Sequence, residues 1–185
     1  VVATGINDAI AIKLNSSGRG SRNSIAEGII NNLRKTIIRD QLTDPKYYAE
    51  MSRLLDDLIR QSRADAAAYA DFLNKAAELA EKLVKKAGGD YPPQLQGKPG
   101  AIVLYRNLPD ISGSTFQCPD TEEERAALAL QLDQAMIDKA PAGYKMDLEG
   151  PKGKQVLDAL FFILSRDKVA TAKLFEIIQK QKEYE

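Results

Sequence analysis

Apolar residues that recur every three or four positions constrain this chain more than anything else in it. Ile25, Ile29, Leu33 and Ile37 recur every fourth residue with Ile30 beside them, and a helix places such residues on one buried stripe. Tyr48, Met51, Leu54, Leu55, Leu58 and Ile59 make a second stripe. Tyr69, Phe72, Leu73, Ala76, Leu79, Ala80, Leu83 and Val84 make a third. Nowhere does apolar and polar character alternate with period two for long enough to build a sheet.

Local punctuation sets the expected boundaries. Asn15 to Asn23, rich in Gly and Ser, reads as a loop, and the apolar patch Ile6 to Ile12 before it as a frayed helix or an edge element. Ser24 and Glu27 have the spacing of a capping box, which predicts a helix start there. Asp44-Pro45 predicts the next start, with Asp as cap and Pro where its missing N–H costs nothing. A third helix is expected from about Asp65 to Lys86, stopped by Gly88-Gly89. Pro92-Pro93 and residues 97–100 form a joint, followed by a short helix over Ala101 to Asn107 and an exposed loop over 108–120. Asp120 or Thr121 caps a helix that opens on Glu122, Glu123 and Glu124 and continues through Leu128, Leu132 and Met136. After a Pro/Gly-rich stretch at 140–153, two closing helices are expected, from Lys154 to Ser165 and from Lys168 to Tyr184. Ala170, Leu174, Ile177 and Ile178 share a face in the last one. The expected fold is all-α, a bundle of six to seven helices in one domain over residues 1–185. Its parts are a poorly defined lead (1–22), a three-helix part (23–90), a joint, short helix and loop (91–120), and C-terminal helices (121–185).

Composition excludes several classes of function. Lys and Arg balance Asp and Glu at 26 each, so no strong field favours bulk nucleic acid or an anionic membrane. Ala159 to Leu164 is the best apolar run, core-sized and too short to cross a bilayer. One Cys gives no disulfide framework and fits a reducing cytoplasm. Because the first residue is Val, the chain reads as a piece of a longer protein.

The sequence offers no catalytic, cofactor-binding or metal-binding residue. Histidine is absent, and with it the commonest general base and metal ligand. Cys118 has no His to activate it. Gly97-Lys98-Pro99 and Gly153-Lys154-Gln155 lack the upstream Gly and the hydroxyl of a phosphate-binding loop. Asp110 and Asp120 offer the first acid of a metal-dependent nuclease, but no acid-x-Lys on a plausible strand follows either, and the lone Asp44-Pro45-Lys46 precedes them and reads as a helix start. Arg34, Lys35, Arg39, Lys46, Arg53, Arg60 and Arg63 alternate with acids and read as a mixed solvated face. Arg19 and Arg22 are less diluted, and with Arg34 and Lys35 they are the candidates for a DNA contact. Tyr47, Tyr48 and Tyr69 read as packing aromatics, and Asn32 as a bond from the edge of the first stripe to a neighbouring helix.

The wording of the helices resembles one family. Asn31-Asn32-Leu33-Arg34-Lys35-Thr36-Ile37-Ile38, Asp44-Pro45-Lys46-Tyr47-Tyr48, Met51-Ser52 and Leu54-Leu55-Asp56-Asp57-Leu58-Ile59 are similar to the C-terminal helical region of the R (restriction, motor) subunit of type I restriction-modification enzymes. Tyr69-Ala70-Asp71-Phe72-Leu73, Leu104-Tyr105-Arg106-Asn107-Leu108 and Phe175-Glu176-Ile177-Ile178 extend the resemblance in the same order. The loop from Pro109 to Pro119 is longer than in that family, and Gly143-Tyr144-Lys145 stands where it carries a Gly-Trp-Arg-like run. The resemblance implies a non-catalytic assembly domain within an ATP- and Mg-dependent DNA translocase and endonuclease. The partners implied are the methyltransferase and specificity subunits, the motor domains of the same subunit, and DNA. A helical module that contacts DNA directly is the alternative.

Overall fold

The computed structural model describes residues 19–62, 66–85 and 91–184. Expectations for the lead up to residue 18, for Asp65 and for the Gly88-Gly89 stop lie outside them. Seven α-helices make up the described chain, with three short 3₁₀ turns and no strand among the described residues. It divides into two compact units. The first holds the helices before residue 90; the second takes Leu42–Lys46 together with the chain from Asp90 onward.

The first unit is built from α1 (Arg19–Asp40), α2 (Pro45–Ser62, whose first two residues belong to the second unit) and α3 (Ala66–Lys85). Helix α1 begins at Arg19, not at Ser24, so the expected loop is helical from Arg19 and the Ser24–Glu27 pair lies inside the helix. The physical reason is cooperativity. Once nucleated, each added residue gains a backbone bond, which outweighs the cost of about 1 kcal/mol for one Gly. The buried stripe of α1 is Ala26, Leu33 and Ile37, with Ile29 and Ile30 packed beside it. Asn32 is exposed and does not serve as the expected interhelical bond; its carbonyl accepts from Thr36 Oγ1 at 3.1 Å. Tyr47, Tyr48, Met51, Leu55 and Leu58 of α2 meet Phe72, Ala76, Leu79 and Leu83 of α3 in one core. Tyr47 Oη donates to the Lys82 carbonyl at 2.6 Å, so its ring packs while its polar end is bonded. Val84, expected on the buried face, is 62 % exposed, because one residue beyond Leu83 turns about 100° off the stripe.

In the second unit a 3₁₀ turn (Pro93–Leu95) leads into α4 (Pro99–Asn107), which opens on a proline. Helix α5 (Glu122–Lys139) packs against both α4 and α6 (Pro151–Ile163), and α6 packs on α7 (Lys168–Ile178). Thr121 caps α5, its Oγ1 accepting from the Glu124 N–H at 3.3 Å and donating to the Glu124 carboxylate at 2.9 Å. Leu95, Leu104, Leu108, Leu132, Leu160, Leu164 and Leu174 are fully buried in the shared core.

Two expectations about this unit are corrected. The stretch 108–120 is not simply an exposed loop: it opens with a 3₁₀ turn (Leu108–Asp110) and sends Leu108, Ile111 and Phe116 into the core. The turn residues there bend the backbone between apolar anchors rather than keep it in water. The last helix ends at Ile178, and residues 179–184 continue as turns, because side-chain bonds draw the tail away from the helix axis. Between α6 and α7 the chain reverses through Ser165 and Arg166, both in the left-handed region at φ 54° and 59°.

Gly153, in the first turn of α6, sits on the backbone of Leu148, and a Cβ there would lie 2.0 Å from the Leu148 carbonyl oxygen. Gly153→Ala is therefore expected to lower stability by about 1–3 kcal/mol, read as an earlier urea midpoint.

Candidate functional site

The four cations expected to contact DNA all lie on α1. Arg34 and Lys35 are exposed near its middle. Arg19 and Arg22 belong to its first turn, where only the backbone is described. At 1.5 Å of rise per residue, Arg22 and Arg34 stand about 18 Å apart along the axis. The structure brings the four onto one helix, not into one pocket. Other cations of the expected mixed face are paired with carboxylates. Arg39 meets Asp40 at 2.7 Å, Lys46 meets Asp110 at 2.8 Å, and Arg60 meets Asp57 at 3.1 Å. Arg63 lies outside the described residues.

The loop residues that resembled fragments of catalytic motifs serve as helix starts. Gly97 turns the chain at φ +76°, and Lys98 is the N-cap of α4. Gly153 and Lys154 lie in the first turns of α6. Among the described residues no three acids or thiols converge as metal ligands.

Cys118 opens on a cleft of about 360 Å³, lined also by Ile111, Gly113, Gln117, Pro119, Asp120 and Arg125. Arg125 Nη2 donates to the Asp120 carbonyl at 3.1 Å, and its guanidinium lies 5.5 Å over the Tyr105 ring. Burial pushes the Cys118 thiol up, with Arg125 opposing it in part. A thiol kept protonated is a weak nucleophile, so the geometry does not activate Cys118.

What the second unit does contain is a framework of buried polar groups, most of them bonded to another segment of the unit. Asp44 accepts from Arg106 Nη1 at 3.1 Å and from Asn107 Nδ2 at 2.7 Å; the Asp44 and Arg106 side chains are 7 % and 9 % exposed. Asn107 in turn accepts the Lys46 N–H at 3.1 Å, capping α2 from another element. Asp133, halfway along α5, accepts from Tyr184 Oη at 2.6 Å. Burial, reinforced by that carboxylate, holds the Tyr184 phenol protonated far above its ordinary range. Thr171 Oγ1 donates back to the Asp167 carbonyl at 2.6 Å.

Asp167 is the most heavily bonded of these groups. One carboxylate oxygen accepts the Val169 and Ala170 N–H groups at 2.9 and 3.0 Å, capping α7. The other accepts the Thr115 and Phe116 N–H groups at 2.6 and 3.1 Å and the Thr115 hydroxyl at 3.2 Å. These donors, the Thr115 N–H foremost, hold the carboxyl well below the usual carboxylate range. Asp167 directly before the apolar period of α7 is a readable cap signal. Neither Asp133 nor Asp167 was among the expected site residues; the signal for Asp133 is a lone acid among Ala129, Leu132 and Met136.

Two outcomes follow. Arg106→Ala leaves the Asp44 carboxylate buried without its cation and is expected to cost about 3 kcal/mol in urea denaturation. For Asp167 the folded carboxyl titrates below the unfolded one. Its contribution is complete above the unfolded value of about 4 and is lost as pH falls from there toward the depressed folded value. The stability gap between the wild type and Asp167→Asn is therefore expected to be constant from pH 7 to 5 and to close in more acid solution, followed by urea midpoints against pH.

No known protein family, curated protein or solved structure matches the chain.

Proposed function

We propose that this chain is a non-catalytic helical assembly module, the C-terminal part of a type I restriction enzyme R subunit that joins the motor to the methyltransferase core. One observation carries the reading. The buried polar side chains of the second unit (Asp44, Asn107, Asp133, Asp167, Thr171 and Gln181) are bonded to helix ends, loops and neighbouring helices. In a binding enzyme such groups converge on a cavity; here they fasten one segment to the next, as a scaffold requires. The family-like order of packing motifs supports the same reading. ATP, Mg and the cutting chemistry then belong to the parent's other domains, and the location is the cytoplasm. No described helix is long and apolar enough to cross a membrane.

A scaffold needs a face to dock, and the second unit exposes Met146 (96 %), Phe162 (66 %) and Ile137 (63 %). Large apolar side chains in water contribute little to folding and much to an interface when covered. The test is a pull-down of the cognate methyltransferase, with its specificity subunit, by the tagged chain. Stoichiometric capture is expected, and an R subunit lacking residues 19–184 is expected to fail to join. Assembly undisturbed by that deletion would overturn the proposal. Phe162→Asp and Met146→Asp together are expected to weaken capture on the order of tenfold or more while leaving the thermal midpoint nearly unchanged.

A second reading rests on the exposure of Arg34 and Lys35. If α1 contacts DNA, Arg34→Ala with Lys35→Ala is expected to lower the salt dependence of duplex binding by about two units of slope. No gel shift at low salt would remove this reading.

A further inference from the structure

Residues 179–184 leave the end of α7 and are fastened to three other places in the second unit. The Gln181 side-chain amide donates to the Thr43 carbonyl and, at 3.2 Å, to the carbonyl of Ile177. Lys145 Nζ donates to the Gln181 carbonyl. Tyr184, 5 % exposed, places its hydroxyl on the buried Asp133 carboxylate at 2.6 Å. The socket for that phenol exists because position 100 is glycine. A Cβ there would stand 2.3 Å from Tyr184 Oη and 2.6 Å from Asp133 Oδ1.

Asp133 is 7 % exposed, and with the tail away its carboxylate lacks the Tyr184 donor in a nearly closed site. A tightly packed socket of this kind is either filled or vacated; it does not stretch. The same six residues also hold Thr43, in the Leu42–Lys46 segment that the second unit takes from between α1 and α2.

We infer that residues 179–184 form a latch whose closure on Asp133 and Gly100 locks the Leu42–Lys46 segment into the second unit, so that tail and segment are released together. The latch gives the unit a conformational device: whatever displaces Tyr184 from its socket also loosens the segment linking α1 to α2. Cooperative opening of a few contiguous contacts, well below global unfolding, is a common form of local instability.

Hydrogen exchange by mass spectrometry on the whole chain tests this. Tyr184→Phe keeps the ring and removes the donor to Asp133, far from Thr43 in sequence. It is expected to speed exchange on the order of tenfold in peptides covering both 179–184 and 42–46. The turn at 164–167, fastened independently through Asp167, is expected to keep its rate. Gln181→Ala, which spares the Tyr184–Asp133 bond, is expected to give the same paired acceleration if Tyr184→Phe fails to fold. Faster exchange in only one of the two segments, in neither, or uniformly across the second unit would overturn the latch.

Discussion

The Asp167 carboxylate is the point on which the second unit turns. It ends the reversal through Ser165 and Arg166, caps α7, and grips the backbone of Thr115 and Phe116 from the far side. That grip holds the loop after α4 between the core anchors Ile111 and Phe116, beside the bond from Lys173 Nζ to the Ser112 carbonyl at 3.0 Å. A single ionised group with several backbone donors does here what a sheet ladder does elsewhere. It ties together pieces of chain that helical hydrogen bonding leaves separate.

That arrangement accounts for the buried polar side chains of a chain that is mostly helical. Helices satisfy their own backbone, but their ends and the loops between them do not. The second unit has short helices and therefore many ends. Asn107 closes one, Thr121 another and Asp167 a third, and the buried Arg106–Asp44 pair brings in a segment from earlier in the chain. The first unit has longer helices and fewer ends, and its core is nearly all aliphatic and aromatic.

Periodicity made the helices legible. The stripe from Phe72 to Leu83 and the face of Ala170, Leu174, Ile177 and Ile178 are where their spacing puts them. Thr121 with Glu124, and the proline of Pro45, marked real boundaries. What stayed hidden was long-range. Nothing near Asp133 in sequence announces a phenol from position 184, and nothing near Thr115 announces Asp167. Local propensity also misplaced the start of α1, because a Gly-Ser pair is a weak signal against a helix already propagating. The exposure of Phe162 was illegible for a different reason: an exposed phenylalanine looks the same in a sequence as a buried one.

The bare positions beside the buried carboxylates carry a steric constraint. At Gly113 a Cβ would meet Asp167 Oδ1 at 2.1 Å, as one at Gly100 would meet Tyr184 and Asp133. The constraint runs one way: each acid can be shortened beside its glycine, but neither glycine can gain a Cβ while the acid holds its place. A substitution at either glycine would therefore be felt not in its own stretch of chain but at a bond to a distant one.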